Sequence, residues 1–174
     1  MSELIRKSEH RDSIQLESRW AARPLDLLQA MNEVKPTILH ISGHGSSSDE
    51  LIFQDDAGQT KIVSQAAFSQ MISACSVGLK LVFLNSCSSS GIAKSICSSI
   101  PAAIGMRCEV GDKAAEVFAA QFYSAVGFGL SLKIAFEQAK AALLLEDIQE
   151  SDIPELFISD GLSADEISLV RPVK

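Results

Sequence analysis

Thr37-Ile38-Leu39-His40-Ile41-Ser42 is a continuous apolar and β-branched run that stops abruptly at Gly43-His44-Gly45, and no other stretch of the 174 residues constrains the fold as much. A strand without polar alternation must be covered on both faces, which is the condition of a parallel strand in an α/β sheet. Leu81-Val82-Phe83-Leu84 repeats the pattern and passes straight into Asn85-Ser86-Cys87-Ser88-Ser89-Ser90-Gly91. Two buried strands therefore end in reactive side chains, a histidine and a cysteine, each flanked by small residues.

The remaining chain alternates strands and helices around these runs. Ser2–His10 reads as a short polar helix, and the alternation of Ser13–Ser18 reads as a half-exposed strand near a sheet edge. Pro24 opens a helix over Leu25–Asn32, its missing N–H being harmless at a first helical position. Leu51-Ile52-Phe53 and Lys61-Ile62-Val63 flank Asp55-Asp56-Ala57-Gly58 as a hairpin. Ser64 caps a helix running to about Cys75, and Gly91–Ile100 is a further helix, followed by a short strand over Pro101–Gly105. Asp112 caps Lys113–Val126, Ser131 caps Leu132–Leu145, and Pro154–Ser159 is the last strand. This order predicts an α/β domain with a mainly parallel central sheet, helices on both faces and right-handed crossovers. The expected organisation is one domain over residues 1–174 with a flexible tail from about 160.

Composition narrows the function. With 47% hydrophobic and 21% charged residues the chain suits one globular domain with a continuous core. A net charge of −7 with dispersed Lys and Arg argues against a nucleic-acid surface and favours cationic or polypeptide partners. No apolar stretch approaches the roughly 20 residues that cross a bilayer. Met1–Asp12 is charged and lacks the apolar segment of a secretory signal, which places the chain in the cytoplasm. Cys75, Cys87, Cys97 and Cys108 show no CxxC spacing, so reduced thiols are expected, with Cys97 and Cys108 as small buried hydrophobes. His40 and His44 form an HxxxH pattern, but no cysteine or carboxylate stands at a spacing that completes a metal site. No cofactor is expected, and His40 reads as a buried strand histidine.

In open parallel sheets ligands bind outside the carboxyl ends of the strands, where His44 and Cys87 both fall. If the strands are adjacent, residues just past their ends come within reach of each other. A helix following Cys87 would stabilise a thiolate through its free N–H groups. Gly45 and Cys87 could offer backbone N–H groups as an oxyanion hole, while Ser86, Ser88 and Gly91 leave room for a substrate backbone. His44 would serve as general acid and then general base. The two residues are 43 positions apart, near the roughly 50 seen between histidine and cysteine in caspases.

These residues resemble the caspase-like cysteine peptidases of the CHAT type, which are akin to caspases and separases. His40-Ile41-Ser42-Gly43-His44-Gly45 is similar to the family's histidine motif and Leu84–Gly91 to its nucleophile motif; Ser8–Asp12, Arg23–Leu27 and Ile104-Gly105-Met106 also look like CHAT-type segments. The resemblance implies a caspase-like three-layer fold and peptide-bond hydrolysis by a His44/Cys87 dyad. Such domains usually begin with an additional apolar strand before the first helix, whereas Met1 opens almost directly on that helix, which implies a sheet lacking its usual first strand. Asn85 replaces the acidic residue that metacaspases carry two positions before the nucleophile. The acidic candidates for substrate reading are then Glu109 and Asp112, because Gly105–Phe118 is similar to the separase segment near the P1 pocket. Asp112 would favour Arg or Lys at P1. A regulatory protein partner or self-association also follows from the resemblance. The rival reading is a catalytically silent, protease-shaped interaction module in a signalling or defence complex.

Overall fold

Every residue of β4 (Leu81–Asn85) and β5 (Ala102–Met106) is buried, as uninterrupted apolar runs require when both faces of a sheet are covered. The computed structural model describes residues 14–46 and 49–170. Its other elements are α1 (Pro24–Val34), β1 (Ile38–Ser42), β2 (Glu50–Gln54), β3 (Thr60–Ser64), α2 (Gln65–Ala74), α3 (Ser90–Ile96), α4 (Asp112–Gly127), α5 (Leu132–Leu145) and β6 (Pro154–Ile158). The main sheet has the order β1-β4-β5-β6, with β1 parallel to β4 and β4 parallel to β5. The architecture is α/β with a mainly parallel sheet, as the caspase-like class requires. β2 and β3 form a separate antiparallel pair whose turn is closed by Asp55, which accepts from the N–H groups of Ala57 and Gln59 at 2.9 and 2.8 Å.

The residues group into two compact units, one of Glu17–Glu109 with Glu155–Asp160, the other holding Val110–Pro154 and the chain from Gly161. In the first, Met31 of α1, Phe68 and Ile72 of α2, and Ile92 and Ile96 of α3 share one apolar core with Val82, Leu84 and Ala103 of the sheet. Leu81, Phe83, Ala102 and Ile104, on the alternate face, are equally buried. In the second unit Phe118 and Phe122 of α4 are buried, and Phe118 meets Phe136 of α5 edge-on at 5.6 Å. Beyond residue 160, Ile167, Leu169 and Val170 are buried, and the Ile167 carbonyl accepts from Leu132 N–H at 2.9 Å.

Ser64 and Ser131 cap their helices as expected, accepting from Ala67 and Ile134 N–H at 3.3 and 3.4 Å. Three expectations fail. β1, expected to be covered on both faces, stands at the sheet edge among the described residues, and none of its five residues is fully buried. Residues 14–18 form no strand, and Leu16 stays 48% exposed; alternation makes a strand only where a neighbour supplies a ladder and a surface to cover. The helix after Cys87 ends at Ile96 rather than Ile100. There Ser95 and Ser98 hydroxyls donate back to the Ile92 and Ser95 carbonyls at 2.8 and 3.0 Å, and Pro101 follows. The helix expected over Ser2–His10, and with it the question of an additional first strand, lies outside the described residues.

Candidate active site

β1 and β4 pair with Ile38 opposite Leu81 and Ser42 opposite Asn85. The same offset, carried past both strands, sets His44 against Cys87. Their spacing of 43 residues is thus the register of the sheet itself. Gly43 N–H extends the ladder by one bond, to the Asn85 carbonyl at 3.4 Å. Beyond it the chains press together, because a Cβ on Gly45 would collide with the Cys87 carbonyl oxygen and stand 3.4 Å from its nitrogen. Glycine at 45 is therefore a packing requirement at the junction of the two loops.

The Cys87 loop is fixed from within the sheet. Ser88 adopts a left-handed φ of 50° and its N–H donates to the Cys108 carbonyl at 3.2 Å, while Ser89 N–H donates to the Met106 carbonyl at 2.8 Å. The buried Ser89 hydroxyl accepts from Met106 N–H at 3.0 Å and lies 2.7 Å from the Ser86 carbonyl to which it donates. Gly105 lets the loop close down, since a Cβ there would come within 2.7 Å of the Ser89 carbonyl oxygen and 2.9 Å of Ala93 Cβ.

The His44 loop is backed instead by the β2–β3 pair. Gly45 bridges to Leu51, with Ile52 N–H donating to the His44 carbonyl at 3.1 Å and Ser46 N–H to the Glu50 carbonyl at 3.0 Å. His44 is exposed and Cys87 partly so, which leaves both open to a polypeptide. Among the described residues, neither the Gly45 nor the Cys87 N–H donates to a backbone carbonyl.

Asp49 is a residue the sequence did not single out. It has a φ of 54°, and its Oδ1 accepts from Gly91 N–H at 3.2 Å. A Cβ on Gly91 would meet the Asp49 carboxylate at 2.5–2.6 Å. The room expected at Gly91 for a substrate backbone is thus taken by Asp49. It also engages one of the helix N–H groups invoked for a Cys87 thiolate, and α3 starts only at Ser90, so that argument weakens. The signal was a glycine at the helix start, without a clue to its partner 42 residues away.

His40 stacks on Phe83, its neighbour across β1 and β4, at 4.4 Å between ring centroids. Burial holds the imidazole neutral by pushing its pKa down to about 4. Asn85 is the last residue of β4 and 8% exposed. Glu109 and Asp112 are both exposed. Asp112 does not cap its helix: Gly111 is the N-cap residue, its N–H donates to Glu150 Oε2 at 2.7 Å, and Asp112 lies inside the first turn. A distant carboxylate has taken the capping role that local spacing assigned to the nearest one. Cys97 is buried as expected, but Cys108 is exposed, because its strand ended at Met106.

A family model for the CHAT domain matches residues 2–156. The chain is also similar to a protein from an unknown prokaryotic organism named Roc-COR-CHAT protease, at 29% identity over 124 residues. That similarity covers 68% of this chain and 12% of the relative's length. With a family match over most of its length, the chain belongs to the CHAT domain family.

Proposed function

We propose that the chain is a cysteine endopeptidase that hydrolyses peptide bonds of a protein substrate through His44 and Cys87. In this reading the Cys87 thiolate attacks the scissile carbonyl, and the N–H groups of Gly45 and Cys87 receive the oxyanion. His44 gives a proton to the leaving amine, then takes one from the water that releases the acyl group from sulfur. The observation that carries the proposal is the contact of Gly45 with the Cys87 backbone just past the β1–β4 ladder, which supports a base and a nucleophile acting together. The CHAT family match and the protease named among its relatives support it.

The finer assignments belong to the same proposal. Asp112 and Glu109 read a basic P1 side chain, Asn85 contributes a neutral group beside the nucleophile, and the enzyme works in the cytoplasm under a regulatory partner. The relative's name joins a CHAT unit to Roc and COR, which supports control by a further domain or protein. A peptide library varied at P1, together with a peptidyl chloromethyl ketone probe, tests this. Turnover and labelling are expected to depend on Cys87, with Arg and Lys preferred at P1. Absence of both, with and without candidate partners, would overturn the peptidase and leave the interaction module.

A further inference from the structure

β4 and β5 pair with Leu81 opposite Ala102 and Phe83 opposite Ile104. That pairing ends at Phe83 and Ile104, and beyond it the Ser89 N–H turns to the Met106 carbonyl at 2.8 Å, so Cys87 and Cys108 meet through the loops past the strands. The residue after Cys87 is tied to Cys108 directly, since the Ser88 N–H donates to the Cys108 carbonyl at 3.2 Å. That bond holds the Cys87 and Cys108 backbones side by side, and a disulfide bridges Cα atoms roughly 4.4–6.8 Å apart. Both thiols are free, Cys108 exposed and Cys87 partly exposed. Cys97 is no competitor, because burial pushes its thiol up to about 11 and leaves it without a reactive thiolate.

We propose that Cys87 and Cys108 are a redox modification site: a hydroperoxide converts the pair to a reversible disulfide that caps the nucleophile. One thiolate attacks the distal peroxide oxygen, the O–O bond breaks, and the departing alkoxide or hydroxide takes a proton. The resulting sulfenic acid is attacked by the second thiolate, the S–S bond forms, and hydroxide leaves to become water. Two thiols lose two electrons and the peroxide gains them. The consequence for activity rests on the peptidase reading; the chemistry of the pair does not.

The test is brief treatment of the full chain with hydrogen peroxide, alkylation of remaining thiols, tryptic digestion without reductant and mass spectrometry. The expected product links the peptide Leu81–Lys94 to the peptide Cys108–Lys113, and the four free thiols fall to two. Dithiothreitol should restore the thiols and, with them, turnover of the peptide substrate. In Cys108→Ser the same treatment should carry Cys87 to sulfinic acid, with no recovery. Absence of the linked peptides, or linkage of Cys108 only between chains, would overturn the proposal and leave the peptidase untouched. A disulfide formed in a protein that shows no turnover when reduced would overturn the peptidase and leave the modification site standing.

Discussion

The two loops of the candidate site are built in opposite ways. The Cys87 loop leaves a strand buried at every residue and is stitched to β5 through Ser88 and Ser89. The His44 loop leaves the exposed end of an edge strand among the described residues and leans on a hairpin outside the main sheet. Cys87 is thus located by the core, whereas His44 is located by local contacts and by one junction, Gly45 against Cys87. A site divided in this way puts its sensitivity on the histidine side, where a partner could adjust it without disturbing the core.

The largest effect should come from breaking that junction. In Gly45→Ala the added Cβ has nowhere to go except into the Cys87 carbonyl, so the loops must part. Misplacement by about 1 Å costs on the order of 100-fold in rate, and kcat/KM should fall by at least that factor. Overpacking should lower stability by about 1–3 kcal/mol. Gly43→Ala is the control, since a Cβ there meets nothing within 4 Å. Equal losses in the two variants would show that the contact does not position the histidine.

His40 joins the two strands beneath the loops through its stack on Phe83, and it makes the joint pH-dependent. Its folded pKa of about 4 lies below the usual 6.5, so below pH 6.5 the unfolded chain binds the proton first. The stabilisation is full above about pH 6.5 and fades as pH falls toward 4, by up to about 3 kcal/mol. Urea denaturation across that window should show a steeper loss for the native chain than for His40→Phe, which keeps the stack and cannot titrate. Parallel slopes would remove His40 from the account.

The parts of the site legible in the sequence are those set by periodicity. Ile38–Ser42 and Leu81–Leu84 could be read as strands, and their register from Ile38–Leu81 to Ser42–Asn85 runs on toward His44 and Cys87, but the burial expected of both holds only for the second. Caps at Ser64 and Ser131 were legible because a serine reaches its own helix three residues on. What could not be read depends on chain segments meeting across long separations. Glu150 displaces Asp112 as the group at the start of α4 from 39 residues beyond Gly111, and Asp49 finds Gly91 in the same way.

Ser89→Ala tests the stitched side. It leaves the buried Met106 N–H without the acceptor that stands 3.0 Å away, and such a loss costs about 1–3 kcal/mol. Thermal unfolding should register about 2 kcal/mol, and hydrogen exchange should rise at Met106 and Ser89. Retained stability would mean that the core does not hold the Cys87 loop as described. Threonine at 89 keeps the hydroxyl, so it should recover part of the loss if its methyl group is accommodated.

The smallest effect distinguishes the histidine side, because Asp49 touches α3 from the His44 loop by a single hydrogen bond. Asp49→Ala should cost about 1 kcal/mol in stability, and if the same energy is lost from positioning His44, kcat/KM falls about fivefold. Asp49→Asn keeps an acceptor for Gly91 N–H while removing the charge, so it should restore most of both. Should Asn behave like Ala, the charge rather than the hydrogen bond is what matters. Should Ala leave kcat/KM unchanged while stability falls, Asp49 only caps α3, and the β2–β3 pair alone places the histidine.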